Sequence, residues 1–120
     1  MNVHSLNLFT AYEEATMSRK IQSAAVIGSG IMGGGIAALL AGAGIKTLLL
    51  DIVPPNLNAE EKKDPLARNR IVKAGLDAAL AIQPALFMSP RDAERITIGN
   101  LEDDFEKIAD CDWIVEVIVE

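Results

Sequence analysis

Apolar residues occur in short runs that end at glycines or prolines, and this pattern predicts alternating strands and helices. The run Ala24–Ile27 leads into a glycine-rich loop, as a buried parallel strand would. Apolar positions near helical spacing predict a helix over Ile31–Ala43, and Gly44 marks its end. Ile45–Ile52 predicts a second buried strand, which ends at two prolines because proline cannot continue the strand ladder.

The second half continues the alternation after a longer polar connection. Residues 56–95 are interpreted as a helical insertion, in which Asp64 and Pro65 suit the start of a helix that runs to about Ile82. Pro90, with Asp92 after it, indicates a second short helix. The remaining predictions are a strand over Ile96–Ile98, an amphipathic helix over Leu101–Ala109 with Leu101, Phe105 and Ile108 inward, and a fourth strand over Trp113–Val119.

This order of elements predicts an α/β fold with a doubly wound parallel sheet, truncated after the fourth strand. Residues 20–120 form the predicted domain. Residues 1–19 show no clean period and are interpreted as a tail or leader.

The loop between the first strand and the first helix matches the pattern G-x-G-x-x-G. Gly28 would allow the tight turn, Gly30 would let a pyrophosphate approach the backbone, and Gly33 would let the helix lie close to the strand. An acidic residue, Asp51, ends the next strand 18 residues after Gly33. Together these features predict a dinucleotide site of the Rossmann type. A carboxylate at Asp51 with no arginine nearby favours NAD over NADP, since it accepts hydrogen bonds from the ribose and repels a 2′-phosphate.

Composition narrows the setting of this domain. The chain has 120 residues, of which 50% are hydrophobic, and a formal charge of −6. The acidic balance argues against nucleic acid or an anionic membrane as a partner. Cys111 is the only cysteine and His4 the only histidine; both are interpreted as inert, and no cluster has metal-ligand spacing. No apolar run is long enough to span a bilayer and no secretory signal is evident, so we expect a cytoplasmic domain.

Three segments together resemble the NAD-binding half of L-3-hydroxyacyl-CoA dehydrogenases. They are Ala25–Ala37, with its Ile-Met-Gly-Gly-Gly-Ile-Ala sequence, Leu48–Asp51 and Trp113–Glu120. The resemblance covers residues 20–120 and is greatest to large members that carry a hydratase domain. It implies an oxidoreductase of fatty acid beta-oxidation that converts L-3-hydroxyacyl-CoA to 3-oxoacyl-CoA with NAD. The cofactor-binding residues expected from the loop pattern and the resemblance are Gly28, Gly30, Ile31, Met32, Gly33, Gly34, Gly35, Asp51 and Glu120.

The resemblance also implies what this chain does not supply. The family's catalytic histidine and its glutamate partner come later in the family's sequence, so no residue here is predicted to be catalytic. We expect the chain to bind NAD without oxidising substrate, and to meet acyl-CoA through the full-length protein. Basic residues between positions 60 and 91 would either contact the CoA phosphates or form a solvated face. They are Lys62, Lys63, Arg68, Arg70, Lys73 and Arg91.

Two alternatives stay open, and one assembly is predicted. The chain could be a stand-alone NAD-binding or sensing module, or a methyltransferase that uses the loop and Asp51 for S-adenosylmethionine. The apolar strand Trp113–Val119 is expected at an exposed sheet edge, which predicts a homo-oligomer through that edge. The N-terminal segment offers another cover for that surface.

Overall fold

A parallel five-stranded sheet forms the centre of the chain in the computed structural model, which describes residues 2–3, 21–82 and 90–118. The strands are β1 (Asn2–Val3), β2 (Ser23–Ile27), β3 (Lys46–Asp51), β4 (Ile96–Asn100) and β5 (Trp113–Glu116). The helices are α1 (Ile31–Gly42), α2 (Pro65–Arg68) and α3 (Arg70–Ala81), with 3₁₀ turns at Glu61–Lys63, Pro90–Arg95 and Phe105–Asp110. The strand order is β1-β5-β2-β3-β4, and every pairing is parallel.

This order confirms the predicted doubly wound architecture. From β2 the chain builds outward through β3 and β4 on one side, then crosses back to place β5 on the other. The reversal leaves a crevice beyond the carboxyl end of β2, which is where open α/β sheets bind their ligands. Gly28 and Asp51 both lie at that end of the sheet.

The larger part of the core lies between the sheet and helices α1 and α3. Leu40 of α1 and Val72 of α3 are fully buried there against strand residues such as Val26 and Leu49. Burying each such side chain contributes about 1.5–3 kcal/mol. On the opposite face a smaller cluster of Ala25, Leu48 and Leu50 is covered by residues that include Leu101, Ile108, Cys111 and Ile114.

The predicted helix that starts at Asp64 is two helices in the structure. Its start is confirmed, since the Asp64 carboxylate accepts a hydrogen bond from the Leu66 N–H at 3.0 Å. The helical run stops at Asn69 and begins again at Arg70. Asn69 leaves the helical conformation, and its side-chain oxygen accepts a hydrogen bond from the Asn100 amide. That tertiary contact is invisible to helical periodicity.

The prediction of an α-helix over Leu101–Ala109 is wrong. The structure has a turn after β4 and then a 3₁₀ helix over Phe105–Asp110. Leu101 and Ile108 pack inward as predicted, but Phe105 is 49% exposed. The Asn100 side chain accepts the N–H groups of Glu102 and Asp103, as a helix N-cap would, yet the chain continues as a turn and a 3₁₀ helix rather than as an α-helix.

The predicted exposed edge also needs correction. Strand β5 ends at Glu116, and Asn2 and Val3 pair with Ile114 and Val115 on its outer side. That part of the edge is therefore already hydrogen-bonded within the chain. The two residues of β1 belong to the segment interpreted as a tail, whose residues 4–19 lie outside the described part of the chain.

Candidate cofactor site

The turn from β2 into α1 is built around two glycines whose side chains would not fit. Gly28 has φ +110°, and an added Cβ would lie 3.0 Å from the carbonyl carbon and oxygen of Val117. An added Cβ on Gly33 would lie 1.7 Å from the Gly28 carbonyl oxygen, which only a backbone shift would relieve. The tight turn and the close approach of helix to strand, both expected from the sequence, are therefore present.

The other glycines of the loop have different surroundings. An added Cβ on Gly30 would meet no described atom within 4 Å, so this glycine is not needed for packing within the described part of the chain. Gly34 packs α1 against α3, since its added Cβ would lie 3.2 Å from the Ala79 Cβ. The added Cβ of Gly35 would also meet nothing within 4 Å among the described residues. Of the two extra glycines, Gly34 thus serves helix packing.

A cleft of about 270 Å³ opens beside this turn. It is lined by Gly28, Ser29, Gly30, Ile31, Met32, Gly33, Asp51, Ile52, Val117 and Ile118. At its mouth Ile31, in the first turn of α1, is 87% exposed. Gly30 caps α1 without a side chain, and the first turn carries no acidic residue. The N–H groups at this helix start are therefore available to an anion, which the helix dipole also favours.

Asp51 is the charged residue of this cleft, and its carboxylate is held in place on both oxygens. Oδ2 accepts the Ser29 N–H at 2.8 Å and the Ser29 hydroxyl at 2.5 Å. Oδ1 accepts the Ile52 N–H at 2.7 Å. Each carboxylate oxygen has more than one acceptor direction, so the group can still receive a hydrogen bond from a ligand.

These residues fit the phosphate and ribose of a dinucleotide. The open face of Gly30 leaves room for a pyrophosphate beside the helix N-terminus. Asp51 lies across the same cleft as a fixed acceptor for ribose hydroxyls, and no lysine or arginine lines the cleft among the described residues. Glu120, which the resemblance assigns to the nicotinamide side, lies outside the described residues, although Val117 and Ile118 before it line the cleft.

Sequence reasoning missed two residues of this site. Ser29 was treated only as a spacer in the glycine pattern, yet it is 4% exposed and holds Asp51. Gly75 lies in the middle of α3, and its added Cβ would lie 2.3 Å from the Ser29 carbonyl oxygen. A glycine inside a helix costs about 1 kcal/mol relative to alanine, so its presence was a signal for a close contact.

Three of the six basic residues considered for CoA phosphates, Arg68, Arg70 and Lys73, pair with acids. Arg68 donates to Asp103 at 2.8 and 3.0 Å and to Glu102 at 3.2 Å. The hydrogen bond from Arg68 is the main cause that lowers the pKa of Asp103. Arg70 pairs with Glu61, and Lys73 with Asp77. This arrangement agrees with a solvated, ion-paired face better than with a phosphate site.

The remaining candidates for chemistry lie away from the cleft. Cys111 is partly buried at the other end of the sheet, and that burial, followed by the charges of Asp110 and Asp112, raises the pKa of its thiol. His4 lies outside the described residues. The described part of the chain contains no group of three or more histidine, cysteine, aspartate or glutamate residues placed to hold a metal. Within the same residues no helix has the length and apolar character to cross a membrane.

The fold and the cleft together define a dinucleotide-binding α/β domain. The family model for "3-hydroxyacyl-CoA dehydrogenase, NAD binding domain" matches residues 23–120, and the chain belongs to this family. Its cofactor is therefore NAD, as the sequence predicted, and S-adenosylmethionine is disfavoured.

Similar proteins carry related names. The chain is 48% identical over 110 residues to a Bacillus subtilis protein named "Probable 3-hydroxyacyl-CoA dehydrogenase", covering 87% of this chain and 14% of that protein. It is 52% identical over 101 residues to a Deinococcus radiodurans protein of the same name, covering 84% and 27%. A Rickettsia felis protein whose name includes "fatty acid oxidation complex trifunctional enzyme" is 45% identical over 104 residues, covering 87% and 13%. The chain thus spans about a quarter or less of these relatives.

Proposed function

We propose that this chain is the NAD-binding portion of an oxidoreductase that converts L-3-hydroxyacyl-CoA to 3-oxoacyl-CoA in fatty acid beta-oxidation. The observation that supports it best is the cleft itself, in which Gly30 leaves free space beside the start of α1 and the Asp51 carboxylate is held in place by hydrogen bonds. The names of the three relatives support the substrate class. Cytoplasmic location and the homo-oligomer stay predictions.

Each residue of the site has a distinct proposed role. Gly28 and Gly33 shape the turn, and the backbone of Gly30, Ile31 and Met32 receives the pyrophosphate. Gly34 supports this helix start from the α3 side, and Gly35 extends the same glycine run. Asp51 receives the adenosine ribose, and Glu120 lies toward the nicotinamide by the family resemblance.

When bound, NAD supplies the hydride acceptor for oxidation of the 3-hydroxyl group. This chain's own residues bind and orient the cofactor: the helix start neutralises phosphate charge and Asp51 fixes the ribose. Removal of the hydroxyl proton requires a general base within hydrogen-bond reach. The described residues place no histidine in the cleft, so we expect the 120-residue chain by itself to bind NAD without reducing it.

The loop is tested by Gly30→Val. The new side chain would enter the open face that the pyrophosphate is proposed to use, so we expect a folded protein that has lost NAD binding. Gly42→Val, at the other end of α1, is the matched control, since its added Cβ would approach no described atom closer than 3.8 Å. Calorimetric titration with NAD measures affinity, and circular dichroism checks folding. Unchanged affinity in folded Gly30→Val would refute the proposed site.

Asp51 is tested by the ratio of NAD to NADP affinity. We expect the wild type to prefer NAD and Asp51→Ala to lose most of that preference, because the ribose acceptor and the repulsion of a 2′-phosphate both disappear. Tighter binding of NADP than NAD by the wild type would contradict the role of Asp51. Calorimetric titration with S-adenosylmethionine tests the methyltransferase alternative. If the 120-residue chain by itself reduced NAD with 3-hydroxyacyl-CoA as substrate, the expectation that this chain lacks the catalytic residues would be wrong.

A further inference from the structure

We propose that Ser29 is a positioning residue for cofactor selection, acting through Asp51, and that Gly75 of helix α3 holds Ser29 in place. The inference rests on the proposed function of the cleft and adds to it two residues outside the glycine pattern. It makes the helical insertion part of the NAD site through the contact of α3 with Ser29.

The contact between Ser29 and Asp51 is short, double and largely shielded from water. Backbone N–H and hydroxyl of Ser29 both donate to Oδ2 of Asp51, at 2.8 and 2.5 Å, and Ser29 is buried. The Ile52 N–H donates a hydrogen bond to Oδ1 of Asp51 at 2.7 Å. Three donors on two oxygens fix the carboxylate plane, so the acceptor directions that remain are fixed as well. Hydrogen bonds to a charged group are stronger than neutral ones, which makes this arrangement persistent.

Helix α3 closes the other side of Ser29. A Cβ added to Gly75 would lie 2.3 Å from the Ser29 carbonyl oxygen and 2.6 Å from both its Cβ and its Oγ. The backbone of α3 therefore touches the serine directly, and only glycine permits this distance. Gly75 does not line the cleft that holds Asp51, although it lines a neighbouring pocket with Ser29, Gly30 and Ile31, so we expect its effect on Asp51 to pass through Ser29.

Loss of the hydroxyl should leave Asp51 charged but less well oriented. In Ser29→Ala the backbone N–H still reaches Oδ2, while the stronger of its two Ser29 partners is gone. We therefore expect weaker recognition of the ribose 2′-hydroxyl and little change at the pyrophosphate. A serine that only satisfied a buried group would instead change stability and leave ligand discrimination alone.

The experiment compares ADP with 2′-deoxy-ADP by calorimetric titration of the full 120-residue chain. We expect wild type to favour ADP and Ser29→Ala to reduce that preference roughly three- to tenfold, the worth of about one hydrogen bond. Ser23→Ala is the matched control, because it removes a hydroxyl at the opposite end of β2, away from the cleft. It should leave the preference unchanged.

Two further variants decide whether the effect passes through Asp51. In an Asp51→Ala background, Ser29→Ala should cause no additional loss of preference. Gly75→Ala should reduce the preference as Ser29→Ala does, with folding checked by circular dichroism. A folded Gly75→Ala with an unchanged preference would overturn the role of Gly75.

Three results would overturn the inference: an unchanged preference in Ser29→Ala, an equal loss of affinity for both ligands, or a full additional loss in the Asp51→Ala background. Failure of the wild type to bind NAD or ADP at all would instead refute the proposed function.

Discussion

Replacing Asn100 by alanine should destabilise the chain more than any surface change near it. Its side chain is 1% exposed at the end of β4, directly beside Asp51 in the sheet register. The amide nitrogen donates to Asn69 at 2.8 Å and to Asp103 at 2.9 Å. The amide oxygen accepts from the N–H groups of Glu102 and Asp103 at 3.0 and 2.8 Å. One residue thus joins β4, its following turn and the junction of α2 with α3.

The magnitude follows from these four hydrogen bonds. Each contributes about 0.5–1.5 kcal/mol net, and a buried partner left unpaired costs more. Two of the four donors are backbone N–H groups in a turn that water can partly reach, so the sum should lie in the lower half of the resulting range of about 2–6 kcal/mol. We expect Asn100→Ala to lower the free energy of unfolding by about 2–4 kcal/mol.

Urea unfolding followed by circular dichroism measures this change. With a slope of about 2 kcal/mol per molar urea, the midpoint should fall by roughly 1–2 M. Asn69→Ala is the graded control: it removes one of the four hydrogen bonds and should cost about 1 kcal/mol. A loss below 1 kcal/mol in Asn100→Ala, or a loss no greater than that of Asn69→Ala, would refute the reasoning.

Three other predictions concern charge, the thiol and the sheet edge. Arg68 lowers the pKa of Asp103 below its ordinary 3.8, so the ion pair stabilises the fold above pH 3.8, and this stabilisation is lost as the pH falls through the lowered pKa. Arg68→Met should therefore make acid unfolding less steep. An unchanged dependence of stability on pH would contradict this prediction. The thiol pKa of Cys111 is raised, so iodoacetamide at pH 8 should react more slowly with Cys111 than with N-acetylcysteine. Asp110→Asn should speed the reaction of Cys111. Equal rates for Cys111 and N-acetylcysteine would argue against burial as the cause of the raised pKa. Deleting residues 1–3 should uncover N–H and C=O groups of β5 and increase self-association in sedimentation velocity across a tenfold dilution, whereas self-association equal to that of the full chain would show that β1 does not protect that edge.

The parts of the fold that sequence predicted well are those set by local chemistry. Strands β2 and β3 are continuous apolar runs bounded by glycine or proline, so their ends were predicted to within a few residues. The loop glycines were assigned correct packing roles at Gly28 and Gly33, because the fingerprint itself encodes a turn and a close approach. Asp51 was singled out by its position 18 residues after Gly33 in the sequence, and it lines the same cleft as the loop.

The parts that sequence missed are those set by contacts distant along the chain. The break at Asn69 coincides with the hydrogen bond from the Asn100 amide, which lies 31 residues after Asn69. Phe105 follows helical spacing, yet it begins a 3₁₀ helix and is half-exposed. Likewise, nothing local to Ser29 or Gly75 shows that they touch. A buried polar side chain with several partners can override periodicity, since its unsatisfied groups would cost more than a helical turn contributes.

The glycine loop is supported from two sides before any ligand arrives. The backbone after β5 lies over Gly28, and helix α3 lies against Ser29 and Gly34. The end of β3 is held as well, since the Leu101 N–H donates to the Asp51 carbonyl at 3.0 Å. The basic residues of the insertion were expected either to contact CoA phosphates or to form a solvated face. Arg70 pairs with Glu61 inside the insertion and Arg68 with Asp103 after β4, while Gly75 lets α3 reach the loop. A loop held in this way loses little freedom when it binds a dinucleotide, and preorganisation of that kind improves affinity by lowering the entropy lost on binding.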